Sequence, residues 1–249
     1  MNNKILLISP SAELAHEQIS HLREFVDQGD KLLLGIGEES WQQMDSLSMY
    51  LPFKIYALSW TALNSPNLPQ ILQRANHLRK KSAQVLLKET SFLDFIFLPR
   101  HALKEALANP FIKTVLEEVR CPVLLFDEKQ EEFKELFLSY NGEEISFQSI
   151  KYFTYLFQER YEESNLHLVL RVNENSLDSE NCVYDYLHAR KKNFAISRFF
   201  SEDYDDGIEQ MLSKSESALL VCGGDRIKNL EKFLLFSEQQ KQAISLFLL

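Results

Sequence analysis

Short apolar runs alternate along this chain with stretches in which apolar residues recur every three or four positions. The runs read as buried strands and the longer recurrence as helix. "KILLIS" is the first strand, broken by Ser9-Pro10-Ser11. "AELAHEQISHLREFV" sets Leu14, Ile19, Leu22 and Val26 at roughly helical spacing, and Gly29 ends it. "KLLLGIG" and "FKIYALS" are the next two strands, and the mixed residues 38–51 between them show neither pattern. A long helix opens at Pro69, with Ile71, Leu72, Ala75 and Leu78 on one face. "LDFIFLP" is the fourth strand. "FIKTVLEEV", with Phe111, Val115 and Val119 four apart, is a helix, and "CPVLLF" is the fifth strand.

The alternation then restarts. "KELFLSY" is a strand that ends at Asn141-Gly142, and "ISFQSIKYFTYLF" is a helix with Ile150, Phe153 and Phe157 facing inward. "LHLVLRV" (strand), "CVYDYLHARK" (helix), "NFAISRFF" (strand) and "DDGIEQMLSK" (helix, weakened by Gly207) follow. "ALLVCGG" is a strand that stops at two glycines before another helical pattern, and "SLFLL" reads as a shortened last strand.

Strands that alternate with helices predict parallel sheets covered on both faces. Pro10 and Asn141 each follow a first strand, Pro99 and Gly223 each follow a fourth, and the two offsets are nearly equal. Such a recurrence indicates tandem duplication. The expected fold is α/β, two tandem doubly wound, Rossmann-like domains of five strands each, over residues 1–128 and 132–249. The boundary falls in the charged "DEKQEE". In doubly wound sheets ligands sit at the carboxyl ends of strands, where strand order reverses. Four loops therefore matter: residues 9–12, 99–101, 141–143 and 223–226.

Composition narrows the function. Of 249 residues, 45% are apolar and 25% charged, enough to bury a core, and 7 Gly and 7 Pro argue against linkers. The formal net charge of −9 and the shortness of basic clusters such as Arg79-Lys80-Lys81 and Arg190-Lys191-Lys192 argue against nucleic acid. Cys121, Cys182 and Cys222 form neither a disulfide framework nor a zinc spacing. The five-residue apolar run near the N-terminus is too short for a signal peptide, and no segment approaches a membrane span. The expectation is a soluble cytoplasmic protein without a membrane partner. His16 and His21 are five apart, the wrong spacing for one helical face, so no metal is expected. "SEDYDDG" has its glycine too early for a calcium loop and reads as an acidic helix start. No Gly-x-Ser-x-Gly elbow is present, and Gly223-Gly224-Asp225 is only a fragment of a Ser-Gly-Gly-x-Asp-Ser loop. No enzyme is expected.

Strand, glycine pair and helix at "LLVCGGDRIKNLEKFLLFS" is the layout by which backbone N–H groups cradle phosphate. That stretch, "LSYNGEEISFQSIKYFTYLF" and "NPFIKTVLEEVRCPVLLF" together resemble the universal stress proteins. The whole chain looks like two tandem copies of that adenine-nucleotide-hydrolase-like domain, similar to the tandem type of Bacteroidetes. ATP-binding members carry a glycine, two residues, a glycine, nine residues, then glycine and Ser or Thr, with an Asp after the first strand. Here Gly223 matches the first glycine, beside Gly224, and Ser237 matches the hydroxyl residue. Arg226 and Phe236 stand at the other two glycine positions, and Asn141 stands at the Asp. In the first half Pro10 is at the Asp position, Asn109-Pro110 replaces the final pair, and Pro99-Arg100-His101 has no glycine.

Glycine permits positive φ and close approach of phosphate, and proline removes a donor. Asn141 is the mildest change, Arg226 offers charge from an exposed loop, and Phe236 puts a ring in the phosphate path. The resemblance thus implies degenerate nucleotide loops, no bound cofactor and a non-catalytic, stress-linked regulatory role. It also implies that the two domains pack on each other through their last strands, and that a homodimer or an unidentified protein is the further partner. The alternative is an adenine-nucleotide sensor that binds ATP weakly through the second domain only, at Asn141, Gly223, Gly224, Arg226 and Ser237.

Overall fold

The computed structural model describes residues 4–9, 31–37, 53–58, 92–108, 110–127, 133–158, 161, 164–172, 177–191, 193–240 and 242–249. The helices expected over 12–26 and from Pro69, and the positions Pro10 and Asn109, lie outside these residues. The chain divides into two compact units, Met1–Glu128 and Lys129–Leu249.

The first unit holds β1 (Lys4–Ser9), β2 (Lys31–Gly37), β3 (Phe53–Leu58), β4 (Phe95–Pro99) and β5 (Val123–Phe126). Their order in the sheet is β3-β2-β1-β4-β5. After β4 come a 3-10 turn (Arg100–Ala102), α1 (Leu103–Ala108) and α2 (Pro110–Glu118). Pro110 is the first residue of its helix, where a missing N–H costs nothing. Pairings β1–β2, β1–β4 and β4–β5 are parallel, but β3 runs antiparallel to β2, with Leu32 opposite Leu58. This corrects the all-parallel expectation. A parallel neighbour needs a crossover connection, whereas an antiparallel one does not. Sheets of this class commonly accept an antiparallel strand at the edge.

The second unit holds β6 (Glu135–Tyr140), α3 (Glu144–Leu156), β7 (Asn165–Val172), α4 (Leu177–His188) and β8 (Ala195–Phe200). It continues with α5 (Tyr204–Lys214), β9 (Ser217–Cys222), α6 (Arg226–Gln239) and β10 (Ala243–Leu248). Its order is β10-β9-β6-β7-β8, and every pairing is parallel. The expected shortened last strand is instead a full six-residue strand, because Ala243 to Leu248 pairs in register with Ser217 to Cys222. Gly207 does not weaken α5. A Cβ there would stand 2.5 Å from the Phe199 ring, so glycine lets the helix close onto β8.

The inward face of α3 follows its apolar spacing. Ile150, Phe153 and Phe157 are buried, and the helix packs on β6, β9 and β10. Phe153, Phe157 and Phe247 form a ring cluster with centroids 5.2 to 5.9 Å apart. Such tilted and edge-on pairs add to the area they bury. Phe247→Ala should cost about 3–5 kcal/mol, read as a lower urea midpoint of the whole protein.

Candidate functional site

The chain leaves β6 toward β7 on one side and arrives at β9 on the other. This reversal opens a crevice at the carboxyl ends of β6 and β9. A cavity of about 380 Å³ occupies it, walled by residues of α5, α6, β6, β7, β9 and β10. Asn141, Gly223 and Gly224 line it. Arg226 and Ser237 lie outside its lining.

Asn141 forms an Asx turn. Its Oδ1 accepts the Glu143 N–H at 3.0 Å, and its Nδ2 donates to Glu143 Oε2 at 3.0 Å. Ser146 Oγ donates to the Glu143 carbonyl at 2.7 Å and starts α3. Both polar atoms of the Asn141 amide are thus committed to Glu143, which leaves one further bonding position on each.

The two glycines have different local causes. A Cβ at Gly223 would stand 2.5 Å from the Ile145 carbonyl oxygen, so glycine lets the end of β9 abut the first turn of α3. Gly224 has φ +126°, and a Cβ there would meet nothing nearer than Asn229 Nδ2 at 3.6 Å and Glu143 Oε2 at 3.8 Å. Its requirement is conformational.

The helix after the glycines supplies its own anion. Asp225 is the N-cap of α6, and its Oδ1 accepts the Lys228 N–H at 3.0 Å. A negative group at that end is favoured by the helix dipole, and here it is a side chain. Arg226 is the first residue of the helix and half-buried, rather than an exposed loop residue, because the cap at Asp225 starts the helix immediately. α6 runs unbroken for 14 residues through Phe236 and Ser237. Phe236 is buried on the inner cavity wall. The Ser237 hydroxyl donates to the Leu234 carbonyl at 3.0 Å, inside its own helix.

Charge in the cavity is mixed. Glu143, Asp205, Glu209 and Asp225 face Arg171, Lys228 and Lys232, and Lys232 pairs with Asp205. Deeper in, Tyr204 and Ser139 share a hydrogen bond of 2.7 Å. Burial, with smaller additions from Cys222 and Asp205, raises the Tyr204 phenol well above its ordinary value. Cys222 is half-buried as a residue; burial of its thiol, helped by the Asp205 charge, pushes it up to about 12. Neither group is an anionic nucleophile near neutrality. Among the described residues no cluster of three or more His, Cys, Asp or Glu could hold a metal, and no helix is long and apolar enough to cross a membrane.

In the first unit the loop after β4 carries an ion pair. The Arg100 guanidinium meets the buried Asp127 carboxylate, which follows β5.

Asp225 directly before a helical pattern is an N-cap signature legible in sequence. The partnership of Tyr204 with Ser139, and the place of Arg171 beside them, join separate elements and leave no spacing signal.

No family model matches the sequence, and no curated protein is similar to it. A universal stress protein from Archaeoglobus fulgidus DSM 4304 superposes with a TM-score of 0.52 at 10% identity, over 99% of this chain and 95% of that one. The fold is that of a universal stress protein. A protein of unknown function from Pseudomonas aeruginosa PAO1 aligns over 100% of this chain and 93% of its own, at 15% identity and a TM-score of 0.48.

Two outcomes follow from the geometry. Gly223→Ala should destabilise the protein by about 1–3 kcal/mol, since a methyl would overlap backbone, and thermal denaturation checks this. Stability should also fall in alkali. The unfolded chain releases protons from Cys222 and Tyr204 near their ordinary values of 9.0 and 10.0, while the folded protein holds them to higher pH. Their contribution is full below pH 9 and is lost as pH rises toward 12, at up to about 1.4 kcal/mol per pH unit per group. Urea midpoints measured across that window should fall less steeply for a Tyr204→Phe, Cys222→Ala double variant.

Proposed function

We propose that this chain is a tandem universal stress protein whose second domain has a closed nucleotide site, and that it acts without catalysis in a stress-linked regulatory or interaction role. A second copy of the chain, or another protein, is then its partner, and the cytoplasm its compartment. The observation that carries the reading is α6. It is one continuous helix through Phe236 and Ser237, with the Asp225 carboxylate on its N-terminus. A phosphate loop needs free N–H groups and a gap in the helix where oxygen can approach. Here the Asp225 carboxylate occupies the Lys228 N–H, and the Ser237 hydroxyl is bonded within the helix.

Electrostatics works in the same direction. A polyphosphate at Gly224 would meet the like charge of the Glu143 carboxylate. The bonds that Asn141 makes to Glu143 hold that carboxylate at the rim.

The alternative, weak ATP sensing by the second domain, draws on the cavity itself and on Lys228, whose side chain lines it. Calorimetric titration of the full chain with Mg-ATP separates the two. The expected result is no binding tighter than about 100 μM. Tighter binding that is lost on Lys228→Ala would overturn the closed-site reading.

A further inference from the structure

Arg171 lies near the end of β7, half-buried in the cavity wall. Its Nε is buried and without a hydrogen-bond partner, and no carboxylate among the described residues pairs with it. It lies over the Tyr204 ring, whose centroid is 6.0 Å from Cζ. A desolvated donor left open is costly, and native proteins rarely keep one without a use. Scarcity of carboxylates does not explain it, since the chain has 36 Asp and Glu against 27 Lys and Arg. Three of the acids in the cavity are otherwise engaged: Glu143 with Asn141, Asp205 with Lys232, and Asp225 with the first turn of α6.

Part of the cavity wall is apolar. Ile208 and Leu212 of α5 lie one helical turn apart and share the cavity with Phe233 and Phe236 of α6 and with Leu246 of β10. A space of about 380 Å³ with an apolar wall, and with a buried guanidinium nitrogen of Arg171 left unpaired beside it, is of small-molecule size. The planar guanidinium fork matches a carboxylate with two parallel bonds. A phosphate dianion would suit the site less, because Glu143, Asp205 and Glu209 share the cavity.

We propose that the cavity of the second unit binds a small carboxylic acid with an apolar body, the carboxylate on Arg171 and the body between α5 and α6. This rests on the reading that the site is closed to nucleotide, and it gives the unit a different ligand to sense.

The test uses the full-length protein, with 4-phenylbutanoate as the probe and 4-phenylbutanamide as its uncharged counterpart of the same shape. Calorimetry should give a dissociation constant below about 1 mM for the acid and at least about tenfold weaker binding of the amide. Arg171→Met, with its fold checked by circular dichroism, should lose that preference. The comparison of acid with amide on the native chain stands even where the variant does not fold. The proposal is overturned by equal binding of acid and amide, by no binding of either at about 10 mM, or by an Arg171→Met protein that binds the acid as the native chain does. Mg-ATP is titrated in parallel. Indifference to the carboxylate with no Mg-ATP binding removes this inference alone. Mg-ATP that displaces the acid, with displacement lost on Lys228→Ala, removes the closed-site reading as well.

Discussion

Where β6 lies beside β9, with Leu138 opposite Val221, the chain departs in opposite directions on the two sides of the pair. No helix can cover the point of divergence, so the loops after both strands stand apart and a crevice is unavoidable. The other features of the second unit answer to that gap. Gly223 lets the end of β9 press against α3 at one edge of it. Tyr204 reaches across from α5 to Ser139 and closes its floor. Remove the parallel pairing and neither contact has a reason to exist.

A crevice at strand ends beside a helix N-terminus is an anion site by default, because backbone N–H groups and the helix dipole point into it. In this chain that tendency is met from within. Asp225 caps the helix through the Lys228 N–H, and Glu143, tethered by Asn141, stands over Gly224. On β7, Arg171 keeps a buried Nε without a partner. The polarity of the cavity is thus set by which charges the protein satisfies with its own side chains and which it leaves open.

Much of the fold was legible in sequence because strands and helices differ in apolar period. The buried faces of β6, β7, β9 and α3 fall where the pattern puts them. The antiparallel edge strand was not legible, since the direction of a strand depends on its connection and residues 38–51 carry no period. The last strand looked short because Ala243 and Ser245 interrupt its apolar run, yet ladder hydrogen bonds do not depend on side chains. At the site, Asn141, Gly223 and Gly224 could be placed because they follow strands. That Ser237 turns inward could not. Its hydroxyl is consumed by a carbonyl three residues back only because the helix continues past Phe236. Arg171 escaped notice for a different reason. An arginine at a strand end is ordinary until the absence of a partner in three dimensions is known.

The continuity of α6 has a consequence for how this unit could carry a signal. A phosphate loop that orders around its ligand converts binding into lost chain entropy, and the ordering itself can be read elsewhere in the molecule. A capped helix of 14 residues has already met that cost before any ligand arrives. The segment has no disorder left to surrender. A ligand in this crevice can therefore act only through differential contact with side chains, by moving Arg171 against the Tyr204 ring or by shifting the packing of α5 on α6. Communication from such a site is mechanical rather than entropic, and it reaches as far as those two helices are exposed to a partner.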